Sequence, residues 1–191
     1  VYGSEGEISI DLESYILGSS VSAQALRTEI IKVGETDATV LLSGPTGAGK
    51  EYVANAIHGV SKRPGKIIAI NCGAIPEQLL ESELFGYERG AFSGADKQHK
   101  GRIEQSDQGT LFLDEIGDIT TEMQIKILRV LESRKITRLG GKEEIAVDFR
   151  LICASHKDLK KLIRENKFRE DLYYRINIFP LNVPALKDRS E

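Results

Sequence analysis

Ala38-Thr-Val-Leu-Leu-Ser-Gly-Pro-Thr-Gly-Ala-Gly-Lys-Glu51 is the stretch that decides the fold. Residues 38–42 are apolar and β-branched and read as a buried parallel strand, while 52–57 read as a helix. Between them Gly44, Pro45, Thr46, Gly47, Ala48, Gly49 and Lys50 match G-x-x-x-x-G-K. The three glycines let the loop curl so that backbone N–H groups face phosphate oxygens. The helix N-terminus adds partial positive charge, and Lys50 reaches the β- and γ-phosphates. A glycine-rich turn that merely ends in Lys is the competing reading; the strand before and helix after favour a phosphate loop. Glu51 departs from the general pattern, in which Ser or Thr offers a hydroxyl to Mg²⁺.

A second motif is therefore needed, and Gly109-Thr-Leu-Phe-Leu-Asp-Glu115 supplies it. A short apolar strand ends in two acids, and buried acids are costly unless they meet a cation or a reacting water. Asp114 takes the place that holds Mg²⁺, and Glu115 the place that orients the attacking water. A strand followed by a solvated acidic turn is the alternative for this segment alone. With Lys50 at this separation, the pair points to ATP or GTP binding and hydrolysis.

The composition agrees with one α/β domain of 191 residues, 40% hydrophobic and 29% charged. A net charge of −3 argues against this segment being a nucleic-acid clamp by itself. No apolar run approaches the ~20 residues that span a bilayer, so no membrane partner is expected. Cys72 and Cys153 lie in apolar strand-like segments without metal-ligand spacing and read as buried, reduced thiols of a cytoplasmic protein. The expected order is helix 20–33, strand 38–42, phosphate loop, helix 51–59, strand 66–71, helix 76–85 and strand 110–113. A capping box at 121–124 opens a helix with Met123, Ile127, Val130 and Leu131 on one face. Residues 134–139 and 144–149 flank Gly140-Gly141 as a hairpin, followed by strand 151–154 and helix 157–165. This alternation predicts a parallel sheet with helices on both faces.

One segment is surplus to that core: Gly86-Tyr-Glu-Arg-Gly-Ala-Phe-Ser-Gly-Ala95. Its glycines make a poor helix and a poor strand but a suitable mobile tip, presenting Phe92. An ordinary surface loop and a partner-binding loop both fit these residues. Together with Glu81-Ser-Glu-Leu-Phe-Gly86, Gly109–Ile116 and Phe168-Arg-Glu-Asp-Leu-Tyr-Tyr-Arg175, the segment Gly90-Ala-Phe-Ser-Gly-Ala95 resembles the central AAA+ ATPase domain of sigma-54-dependent transcriptional activators, the bacterial enhancer-binding proteins. The resemblance runs from about residue 17 to 189.

That resemblance implies an AAA+ P-loop NTPase core with ATP on residues 44–51, Mg²⁺ on Asp114 and water polarised by Glu115. The family usually carries Glu at the position of Glu51. Asn71 matches the residue that restrains the catalytic Glu. Arg169 and Arg175 match arginine fingers supplied to a neighbouring subunit, which implies a ring, typically a hexamer. Gly90, Ala91, Phe92, Ser93, Gly94 and Ala95 match the loop that engages sigma-54, with Phe92 at its tip, and ATP turnover is expected to move this loop and remodel the closed promoter complex.

Two positions depart from the family pattern. Ser93 stands where Thr is favoured, and His156 stands where an Asn senses the γ-phosphate. Residues 1–15 read as a linker remnant and 16–191 as the ATPase α/β subdomain, truncated before a helical lid. The resemblance also implies a regulatory domain, as in two-component systems, and DNA binding through a domain absent from this chain. A nucleotide-binding regulatory domain with weak or no hydrolysis is the alternative.

Overall fold

The computed structural model describes residues 12–16 and 18–188. Most of the linker segment expected at 1–15, and the boundary at 189–191, lie outside the described residues. Nine strands are assigned in the described residues. They are β1 Val40–Ser43, β2 Ile67–Asn71, β3 Gly86–Tyr87, β4 His99–Lys100, β5 Thr110–Asp114, β6 Lys135–Ile136, β7 Ile145–Ala146, β8 Arg150–Ser155 and β9 Phe179–Asn182. The helices are α1 Leu12–Tyr15, α2 Val21–Gly34, α3 Lys50–Ser61, α4 Glu77–Phe85, α5 Arg102–Gln105, α6 Thr121–Ser133, α7 Leu159–Arg164 and α8 Glu170–Ile176.

Five strands form the main sheet in the order β2-β5-β8-β1-β9, every pairing parallel. Alternation along each strand divides the core in two. Leu41, Leu111, Leu113, Leu151 and Cys153 join Leu84, Ile127, Leu131, Leu172 and Ile176 on the face of α4, α6 and α8. Val40, Leu42, Phe112, Ile152 and Ala154 join Leu26, Ile30, Val53 and Ile57 on the face of α2 and α3. Each such aliphatic side chain stabilises the fold by about 1.5–3 kcal/mol when buried, and the two-faced burial explains why the strands read as unbroken apolar runs. Both thiols are buried as expected; burial pushes the Cys72 thiol up to about 12 and the Cys153 thiol well above its usual value.

Arg150 is buried at the start of β8, an unusual place for a charge. Its guanidinium donates to Val33 O at 2.8 Å, Gly34 O at 3.3 Å and Ala38 O at 3.2 Å. Two of these carbonyls end α2, so the cation meets the negative end of a helix dipole. The strand and the helix C-terminus are thereby tied together.

Three expectations change in detail. The cap of α6 is Thr120, whose Oγ1 accepts from Met123 N at 3.3 Å, one residue before the expected box. Gln124 is instead fully buried. The hairpin pairs only Lys135–Ile136 with Ile145–Ala146, because its inner arm is drawn to another partner. Leu139 N donates to Gly86 O and Glu88 N to Leu139 O, both at 2.9 Å. The helix expected at 157–165 starts at Leu159, because Asp158 caps it by accepting from Lys161 N.

Candidate functional site

The carboxyl ends of adjacent parallel strands form one edge, and this is where an α/β sheet offers a crevice. Register places Asn71 beside Asp114, and Ser43 beside Ser155. The phosphate loop after β1, the acids ending β5 and His156 after β8 therefore converge. A cleft of about 530 Å³ opens beside this edge, lined by Ser43, Gly44, Ser155, His156, Lys157 and Tyr173 among others, with Lys50, Asp114 and Glu115 outside its lining.

The loop enters α3 through Gly49, which adopts φ 83° and ψ 32°. Only glycine takes this left-handed conformation without strain, and it turns the first amides of a 12-residue helix toward the crevice. Lys50 is buried, and its Nζ donates to Gly44 O at 2.9 Å and Pro45 O at 3.0 Å. An ammonium has three donors, so one remains for a phosphate oxygen. Glu51 is exposed in the first turn of α3.

Asp114 is half-buried, and its Oδ1 accepts from Glu115 N at 2.9 Å. Burial first, then the neighbouring Glu115 charge, raises its pKa above the usual carboxylate range. Glu115 has φ 54° and ψ 48°, a left-handed backbone that costs a non-glycine residue about 1–2 kcal/mol. Such strain at the mouth of a crevice marks a side chain held for a purpose. Glu115 Oε2 accepts from His156 Nδ1 at 2.5 Å.

Asn71 is exposed, and its Oδ1 accepts from Gly73 N at 2.9 Å. That bond folds the turn after β2; the side chain bonded to Glu115 is that of His156. No group of three His, Cys, Asp or Glu side chains suited to a metal occurs among the described residues. Asp114 alone offers one hard oxygen, which fits Mg²⁺, a cation that fills its shell with phosphate oxygens and water.

Arg169 caps the start of α8 and is half-buried, with its side chain 38% exposed, and Arg175 is exposed in the last turn of the helix. The Arg169 guanidinium forms a two-pronged pair with Asp171, at 3.0 and 2.8 Å. Its backbone is fixed from below, since Gln124 Oε1 accepts from Arg169 N at 2.8 Å while Gln124 Nε2 donates to Ile119 O and Lys167 O. The sequence signal for this anchor was an amide on the apolar face of α6.

Residues 90–95, expected as a mobile tip, close on themselves. Gly90 N donates to Ala95 O at 2.8 Å and Ala95 N to Phe92 O at 3.1 Å. Ala95 is buried, whereas Phe92 remains 45% exposed with its ring edge-on to Tyr87 at 4.8 Å. Arg138 braces the loop base, donating to both oxygens of Glu104 and to Glu88. No helix among the described residues is long and apolar enough to cross a membrane.

A family model described as the Sigma-54 interaction domain matches residues 16–182. The chain is 51% identical over 178 residues to the acetoin dehydrogenase operon transcriptional activator AcoR of Bacillus subtilis (strain 168), covering 92% of this chain and 29% of that protein. It is 49% identical over 177 residues to the transcriptional regulatory protein ZraR of Salmonella typhimurium (strain LT2), covering 92% of this chain and 40% of that protein. The crystal structure of NtrX from Brucella abortus in complex with ATP matches with a TM-score of 0.84 at 39% identity, covering 91% of this chain and 39% of that one. This chain thus spans less than half the length of these relatives.

Proposed function

This chain belongs to the family of sigma-54 interaction domains, and we propose from that premise that it is the ATP-hydrolysing motor of a sigma-54-dependent transcriptional activator. The observation that carries the reading is the convergence of Lys50, Asp114, Glu115 and His156 at the carboxyl ends of three adjacent strands. Lys50 and the loop amides hold the β- and γ-phosphates. Mg²⁺ on Asp114 would offset the charge that grows on the phosphate oxygens. Glu115, freed from His156, orients water for in-line attack and accepts its proton.

Arg175 is exposed in the last turn of α8 and Arg169 reaches solvent in part from its cap, so each guanidinium can enter a neighbouring copy's site. We assign them as fingers acting in trans within a ring, the hexamer typical of this family. Loop 90–95 presents Phe92 to sigma-54, and its brace to the 135–146 hairpin gives nucleotide-driven motion a mechanical path to the closed promoter complex. DNA binding and signal reception belong to segments outside this chain, and the working location is the cytoplasm.

A second reading, a nucleotide-binding regulatory domain with weak hydrolysis, draws on the hold of His156 on Glu115. ATP turnover beside a Glu115→Gln variant decides between them. The motor reading expects turnover in the native chain and its loss in the variant with nucleotide affinity retained. Tight binding with no turnover in either protein favours the regulatory reading.

A further inference from the structure

Charge is unevenly spread over this chain. Between residues 157 and 167 five cations stand against two acids, in a chain whose net charge is −3. The short helix α7 carries the middle of that surplus. Leu159 is buried, and Leu162 and Ile163 pack against the same core, so that side of the helix faces inward. Helical spacing then leaves Lys160, Lys161 and Arg164 together on the outer side, and all three are exposed. The core contacts fix the backbone beneath them, so the three cations share one rigid base.

The acids close to this cluster are already engaged. Asp158 Oδ1 caps α7 by accepting from Lys161 N at 3.2 Å. Glu165 pairs with Lys167 at 3.3 Å, and Asp118 pairs with Lys157. The side chains of Lys160, Lys161 and Arg164 take part in no ion pair or hydrogen bond among the described residues. Like charges three or four residues apart on a helix destabilise it, and a bound anion would relieve that repulsion.

An acidic protein surface and a nucleic acid both supply anions, and the character of the face chooses between them. Protein interfaces are anchored by aromatic or large apolar side chains at their centre. None of the exposed large hydrophobic residues lies between 157 and 167. Contacts to a duplex backbone are instead polar and positive, made by long Lys and Arg side chains to phosphate oxygens. A duplex also carries one charge per ~1.7 Å of its axis, against one per ~3.3 Å for an extended run of acidic residues. Cations gathered on a single helical turn suit the denser array.

We propose that the outer face of α7 is a contact site for the phosphate backbone of duplex DNA, made by Lys160, Lys161 and Arg164. The contact reads charge and no sequence, so specific DNA recognition stays with segments outside this chain. A negative net charge does not oppose it, because the charge is polarised and the backbone meets only this face. The proposal goes beyond the motor reading and depends neither on hydrolysis nor on loop 90–95. Its effect would be to hold the domain beside the duplex on which it works.

The test is fluorescence anisotropy of a labelled duplex of about 30 base pairs and arbitrary sequence, titrated with the chain at several salt concentrations. Binding is expected at low salt, with log K falling against log salt at a slope of about −2.7, roughly 0.9 for each of three phosphates. A variant combining Lys160→Gln, Lys161→Gln and Arg164→Gln keeps good helix formers at exposed positions and should lose about tenfold or more in affinity. A control combining Lys97→Gln, Lys100→Gln and Lys142→Gln removes the same charge from other exposed positions and should stay within about twofold of the native chain. Equal losses in both variants would reduce the effect to net charge and overturn the site, as would no binding at low salt. Poly-L-glutamate of matched charge that binds as tightly as the duplex, and is lost in the first variant, would overturn the assignment to nucleic acid. Lys160 also lines the cleft beside Gly44, so displacement of the duplex by millimolar ADP would return these cations to the nucleotide site.

Discussion

Asp114 is held where its charge is disfavoured. Burial and the Glu115 charge raise its pKa above 3.8, so the folded chain binds more protons than the unfolded one over the interval above that value. Stability contributed there falls as pH rises, and at neutral pH the site carries a standing electrostatic cost. Asp114→Asn keeps the shape and the acceptor for Glu115 N while removing the charge. Its melting temperature at pH 7.5 should exceed that of the native chain, with ATP hydrolysis reduced by about 100-fold or more; a lower melting temperature would contradict this account. His58 runs the other way. It is half-buried, its Nδ1 lies 2.7 Å from Thr110 Oγ1, and burial, then Arg150 and Arg63, lower its pKa below 6.5. The unfolded chain protonates His58 more readily, so this stability is present above pH 6.5 and is lost as pH falls through the lowered folded value. Urea midpoints should therefore drop between pH 7.5 and 5.5, and His58→Gln should flatten the drop. That Lys50, Asp114 and Glu115 meet at one edge of the sheet was legible, because the apolar runs before them read as neighbouring parallel strands. The partner of Glu115 was not, since Asn71 ends a strand and His156 follows one, and only register and side-chain direction decide which one reaches it.

At the scale of elements, strands and helices were legible wherever burial alone sets the pattern. The alternation of Leu41 against Val40 and Leu42 assigns β1 to the sheet interior in the sequence as it does in the fold. What periodicity cannot register is a tie between segments distant in the chain. The hairpin was visible from Gly140-Gly141, yet its inner arm pairs less than expected because Leu139 bonds to the residues opening loop 90–95. Gly140 has φ 72°, and a Cβ there would lie 2.8 Å from the Ala91 Cβ, so the loop and hairpin meet at a place only glycine permits. Arg138 completes the junction. Its side chain is 9% exposed and pairs with Glu104, which is 11% exposed, and with Glu88. Arg138→Met strands two acids and should destabilise the chain by about 2–4 kcal/mol in denaturant unfolding. A loss under 1 kcal/mol would show that water takes over the role of the guanidinium. Phe92, by contrast, touches only Tyr87 among the aromatic rings of the described residues and stays half-exposed. Phe92→Ala should abolish sigma-54 capture while ATP turnover remains within about twofold, and retained capture would remove loop 90–95 from the interface.

For the whole molecule, the placement of the two arginines proposed as fingers decides whether one chain suffices for catalysis. Glu115 sits at the carboxyl edge of the sheet, held by His156, whereas Arg169 is partly exposed at the start of α8 with its guanidinium turned to Asp171. The sequence made Arg169 recognisable through resemblance alone, because a solvated Arg-Glu-Asp run has the same composition as a finger. Gln124, a buried amide, spends its carbonyl on Arg169 N and so fixes the backbone beneath a partly exposed side chain. A rigid base under a solvent-facing guanidinium suits delivery to another subunit. If delivery is in trans, Glu115→Gln and Arg169→Ala remove opposite halves of one shared site, and neither variant alone turns over ATP. In an equal mixture, roughly one interface in four joins an intact Glu115 to an intact Arg169. Turnover should then reappear at up to about a quarter of the native rate, rising with protein concentration as rings form. Fingers acting within a single chain predict no recovery at any mixing ratio, and hydrolysis independent of concentration in the native protein.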